Sequence, residues 1–147
     1  MKKVSDTKLY LKVLSIEGDG YHLYIDAKIN GHKAHLLVDT GASKTVFDSN
    51  RIVNFSDENK LVELNKLSTG LGTDSMRGHL IDINEIKLGT IKVKNYQGLA
   101  LDLSHVNASY SKMGIEPIDG VLGSDILHEY NAIIDYKNQE LTLEKSN

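Results

Sequence analysis

The chain has 147 residues, 40% of them hydrophobic and 25% charged, a composition that builds one globular domain and excludes a disordered chain. The 17 Lys and Arg against 20 Asp and Glu leave a formal net charge of −3, so nothing in the balance marks a partner nucleic acid. With no Cys, disulfides and thiolate metal sites are excluded. Apolar runs stop at three residues, as in Leu36-Leu37-Val38, far short of the ~20 that a membrane span needs.

The N-terminal stretch carries Lys2 and Lys3 but no continuous apolar segment behind them. It does not read as a signal peptide, and the expectation is a cytoplasmic protein. The first clear element starts at Tyr21. Tyr21, Leu23, Ile25, Ala27 and Ile29 alternate with polar residues, which is the period of a strand. Asn30-Gly31 follows, a dipeptide that tolerates positive φ and closes hairpins. The return strand is His32 to Val38, with Ala34, Leu36 and Val38 on one face.

Asp48–Asn54 has room for a helical turn or two, and the polar stretch from Phe55 to Lys66 supports no assignment. A second group of strands runs His79–Leu88, turns at Gly89-Thr90 and returns over Ile91–Asn95. Leu99–Leu103 reads as a further strand. Pro117, the single proline, lies in a loop. Ser124 or Asp125 can cap a short helix through about Tyr130. Asn131–Tyr136 and Glu140–Glu144 make a closing hairpin. The expected fold is mostly β, one domain over 1–147 with its core at about 21–143 and one or two short helices.

The chemistry lies at Asp39-Thr40-Gly41-Ala42-Ser43, directly after the strand that ends at Val38. The strand delivers Asp39 to its end, Gly41 allows a sharp turn, and the hydroxyls of Thr40 and Ser43 can hold it. The bland alternative is a turn in which Asp39 only accepts backbone N–H groups. His32 and His35 are three apart on a strand and face opposite ways, and no metal-ligand spacing occurs elsewhere. No metal or cofactor is expected.

The segment from His35 to Val46 resembles the first signature of the retropepsin-like aspartic peptidases: an apolar strand, Asp-Thr-Gly-Ala, two variable residues, then Thr and an apolar residue. Ile118-Asp-Gly-Val-Leu-Gly123-Ser-Asp-Ile-Leu127 resembles their second. Between the two, Ser68 to Gly78 lies where that family places its flap hairpin. The resemblance implies a single-lobed acid-protease barrel. It implies Asp39 as the catalytic carboxylate, Thr40, Gly41, Ala42 and Gly123 as its support, and Ser43, Gly70, Leu71 and Gly72 as substrate-binding residues. Ala42 stands where pepsin-like enzymes often carry Ser, which predicts activity at weakly acidic to neutral pH.

Water activation and protonation of the leaving amine need two carboxyl groups that share one proton. The sequence has a single Asp-Thr-Gly. The second carboxylate must then come from another copy, so a homodimer acting on polypeptide is expected, without nucleic acid or membrane as partner. The alternative is a monomeric module of the same fold that binds peptides without cleaving them.

Overall fold

A computed structural model describes residues 4–18, 20–55, 62–63 and 78–146. The strands in chain order are β1 (Val4–Tyr10), β2 (Lys12–Ile16), β3 (Gly20–Ile29), β4 (His32–Val38), β5 (Val46–Asp48), β6 (Val62–Glu63), β7 (His79–Leu88), β8 (Ile91–Leu101), β9 (Gly120–Leu122), β10 (Ile133–Asp135) and β11 (Glu140–Ser146). Two α-helices interrupt them, α1 (Ser104–Lys112) and α2 (Ser124–Glu129), with a 3-10 turn at Ile52–Phe55. No helix among the described residues is long and apolar enough to cross a membrane.

Six strands close on themselves in the order β3-β4-β9-β5-β8-β7, because β3 also pairs with β7 at Lys28↔Lys87 and Ile29↔Ile86. The inward faces fill the barrel with Ile25, Ile29, Leu36, Phe47, Ile83, Ile86, Leu88 and Leu122. The expected mostly-β barrel is therefore the observed one. A separate antiparallel sheet, β1-β11-β10, brings the two ends of the described chain side by side. Leu9, Leu141 and Leu143 pack its inner face onto the barrel core.

The hairpin β3–β4 follows the expected boundary. Asn30 and Gly31 both take positive φ, 49° and 84°, the conformation that a two-residue turn between twisted strands demands. Other expectations change. β1 and β2 were not predicted. The strands expected at Ile91–Asn95 and Leu99–Leu103 are one continuous strand, β8, whose register against β7 is the same on both sides of Asn95. Asn95 itself sits at φ 52°, a local kink that the pairing absorbs. Helix α1 was also unpredicted. It covers a second apolar cluster of Ile16, Tyr24, Leu103, Tyr110 and Ile118, on the outer face of β3. Tyr24 is thus fully buried although it alternates with the barrel-facing residues, whereas Tyr21 is 65% exposed.

Candidate active site

The crossing of three short segments sets the geometry around Asp39. β9 lies parallel to β4 on one side, with Leu36↔Gly120 to Val38↔Leu122. On its other side it pairs antiparallel with β5, through Val46↔Val121 and Phe47↔Gly120. The loop from Asp39 to Thr45 must therefore step from one flank of β9 to the other, directly over Gly123. Three hydrogen bonds fix the step. Asp39 N–H donates to the Leu122 carbonyl at 3.0 Å and Ser124 N–H to the Ala42 carbonyl at 2.7 Å. Gly123 N–H donates to Thr45 Oγ1 at 2.9 Å.

Gly123 has no room for a side chain. A Cβ there would lie 2.7–2.8 Å from the backbone of Lys44 and Ala42. Gly120 is equally constrained, 2.7 Å from the Val46 carbonyl. Gly41 differs from expectation. Its φ is not positive, so a sharp left-handed turn is not what requires glycine. Its N–H donates to Asp39 Oδ1 at 2.9 Å, and a Cβ would sit 3.2 Å from that oxygen. Glycine here leaves space beside the carboxylate.

Asp39 is exposed, as are Thr40 and Ser43, and Ala42 is half-buried. No second hydrogen bond to the Asp39 carboxylate is made among the described residues. The turn is closed by Ala42 N–H on the Asp39 carbonyl, 3.2 Å. Gly70, Leu71 and Gly72 lie outside the described residues.

Beneath the turn sits a buried polar network. Asp125 Oδ1 accepts Thr45 N–H at 2.9 Å and Thr45 Oγ1–H at 2.7 Å. The Tyr96 hydroxyl donates to Asp125 Oδ2 at 2.5 Å. Burial pushes the Asp125 carboxyl up, but the bonds from Tyr96, Thr45 and the Ile126 N–H outweigh it and hold it below the ordinary carboxylate value. Burial, then the bond to charged Asp125, pushes the Tyr96 phenol well above its usual range. Asp125 was expected as a residue of the helix N-terminus, and it does occupy the first turn of α2. Its larger role is to tie β5 and β8 to that helix. Ser124 was expected as a cap, yet the N-cap is Gly123 and no side chain caps the helix.

Two further buried carboxylates brace the surroundings, and sequence reasoning singled out neither. Asp48, 2% exposed, accepts Leu103 N–H at 3.1 Å and Asn107 Nδ2 at 3.3 Å, anchoring α1 to β5. Asn107 in turn bridges the Ile118 carbonyl and N–H. Asp119, 4% exposed, accepts His35 N–H at 2.8 Å and pairs with Arg51 Nε at 2.7 Å. Through these bonds α1 carries Tyr110 toward the active turn. Burial raises the Tyr110 phenol above its usual value, the neighbouring Tyr24 phenol opposes this, and the charge of Asp39 adds to it. The Tyr110 hydroxyl also lies 2.8 Å from His22 Nδ1. Among the described residues, no three His, Asp or Glu side chains form a metal-ligand set.

A strand-end Asp on a loop stepped over a paired central strand is matched by sequence as well. The profile of the family described as Aspartyl protease aligns with residues 25–126. The chain belongs to the aspartyl protease family.

Relatives and folds agree with that membership. DNA damage-inducible protein 1 of Neurospora crassa is 26% identical over 129 residues, 86% of this chain and 26% of that protein. Protein DDI1 homolog 1 of Homo sapiens is 27% identical over 123 residues, 82% of this chain and 27% of that protein. The chain thus spans about a quarter of the length of the curated relatives it matches. Among solved structures, a retropepsin-like aspartic protease from Rickettsia conorii superposes with a TM-score of 0.58 at 22% identity, over 99% of this chain and 94% of that one. The retroviral protease-like domain of Ddi1 from Leishmania major gives 0.55 at 17% identity, over 83% and 87%. These two likenesses establish the shared fold.

Proposed function

We propose that the protein is an aspartic endopeptidase that works as a homodimer, cleaving extended polypeptide with water activated between two copies of Asp39. One observation carries this reading. Asp39 is exposed at the end of β4 with a single N–H partner among the described residues, while Asp48, Asp119 and Asp125 are held by several donors each. The Gly41 N–H bond alone would suit a plain turn; the open remainder of the carboxylate is what supports a role in proton transfer.

In the proposed dimer the two Asp39 turns meet at a two-fold axis, with Thr40 and Gly41 beside them. Two carboxyls about 3 Å apart share one proton. The ionised one takes a proton from water as the oxygen attacks the peptide carbonyl carbon. The protonated one donates to the carbonyl oxygen, giving a tetrahedral diol. A proton then passes to the nitrogen, the C–N bond breaks, and acid and amine leave. Ser43 with Gly70, Leu71 and Gly72 would border the substrate, the last three as a closing flap.

Sedimentation should give about twice the 16.3 kDa chain mass, and the wild type should cleave an unfolded protein. Asp39→Asn should keep the fold and lose cleavage. A monomer that cleaves, or an Asp39→Asn variant cleaving at the wild-type rate, would overturn the proposal. A folded monomer without any cleavage would favour the peptide-binding module.

A further inference from the structure

The outer face of the barrel at the hairpin end, away from Asp39, carries a different feature. Register places Lys33 of β4 opposite Lys28 of β3, Lys28 opposite Lys87 of β7, and Lys87 opposite Lys92 of β8. Residues directly opposite in a sheet project to the same side. Four lysines therefore stand in one row across four adjacent strands, spanning three strand spacings or ~14 Å. Like charges placed directly opposite repel. Among the described residues Lys28 and Lys33 make no ion pair that would offset this; Glu85 draws on Lys87 and Lys92 only at a distance and bonds Lys94 instead.

Three of the four line a groove of about 840 Å³ between β1, the β3–β4 hairpin and the loop before β9. Its other walls add Lys8, Lys12 and Arg51, which pair with Glu140, Asp26 and Asp119, so Lys28, Lys33 and Lys87 face the groove with Glu116 as its remaining carboxylate. A chain of net charge −3 thus concentrates positive charge in one concave site. Lys33 lies six residues from Asp39 along β4, ~20 Å away for an extended strand, so the groove is separate from the Asp39 turn.

We propose that this groove binds an acidic segment of polypeptide in extended form. Leu9 and Pro117 also line it, and they suit apolar side chains between the acidic ones. Asp26 and Glu116 stand exposed on the walls. They repel an unbroken run of phosphates but leave room for a peptide whose carboxylates are spaced. The overall negative charge acts against a nucleic acid in the same sense.

The test is fluorescence anisotropy with a labelled (Glu-Ser)5 peptide and the full chain at low salt. The expected result is saturable binding that weakens steeply as salt rises, absent for a Gln-Ser peptide. Lys28→Glu/Lys33→Glu should weaken binding at least tenfold, and Lys28→Gln/Lys33→Gln by a smaller factor. Neither pair should lower the melting temperature. The Asp39→Asn variant should bind as tightly as the wild type, so the outcome does not depend on whether the protein cleaves. No binding, equal binding by the Lys28→Glu/Lys33→Glu variant, or tighter binding of a single-stranded oligonucleotide than of the acidic peptide would overturn the proposal.

Discussion

The Asp39 turn and the network beneath it are built from the same residue types to opposite ends. Above, Asp39 is exposed with one N–H partner among the described residues. A few residues below, Asp125 is half-buried and gathers donors from Thr45 and Tyr96. A carboxylate whose oxygens are filled with donors is a poor proton acceptor, and its job is to hold chain segments together. A carboxylate left with free lone pairs can exchange a proton but holds little. The division lets the reactive group stay unencumbered while the loop bearing it is fixed from underneath.

Mutations can test that division. Asp39→Asn should reduce cleavage at least ~10³-fold, within the range general acid–base groups supply, and leave the melting temperature near that of the wild type. Gly123→Ala should do the reverse. Its Cβ would meet backbone at 2.7–2.8 Å, so we expect about 3 kcal/mol of destabilisation in urea titrations, and activity lost along with the turn.

Asp125→Ala should cost about 2 kcal/mol because it strands the donors of Thr45 and Tyr96 in the interior. Its pH dependence has a defined sign. The folded-state value of Asp125 is held down, so its stabilisation is present above the ordinary Asp value near about pH 4 and fades as pH falls through the depressed one. The stability gap between wild type and Asp125→Asn, followed by urea titration, should therefore shrink on acidification below about pH 4. A gap that widens would contradict the network. Tyr96→Phe removes one donor and should cost only about 1 kcal/mol.

Legibility in the sequence followed the locality of the signal. β3, its Asn30-Gly31 turn and β4 were readable because alternation and turn chemistry sit within one hairpin. The first and second signatures were readable because glycines and short apolar runs stand at family spacings, and the structure brings Gly123 against Ala42 and Lys44. β1 was not readable. Its apolar alternation is hidden by polar Thr7 on the buried face and Tyr10 on the exposed one, and its partner β11 lies at the far end of the chain. Helix α1 has only Val106 and Tyr110 as large apolar residues in nine, too few for a helical period, and is held instead by Asn107 on Asp48 and Ile118. β8 looked interrupted because Asn95-Tyr96-Gln97-Gly98 resembles a turn. Gly98 is glycine because a Cβ would press on the rings of Tyr96 and Phe47. The bracing roles of buried Asp48 and Asp119 and of half-buried Asp125 left no local trace, since Leu103, Asn107, His35, Thr45 and Tyr96 reach them from remote segments.

The threading of β9 between the two limbs of the Asp39 loop also governs when that loop can be fixed. The residues that clamp the loop from below arrive 80 positions after it, as the Thr45–Asp125 bond shows. A growing chain therefore carries Asp39 as an ordinary acidic side chain in an unlocked turn until Asp125 has emerged. Long-range closures of this kind form late and slowly, so the turn is set only after the segment through Asp125 has joined the barrel.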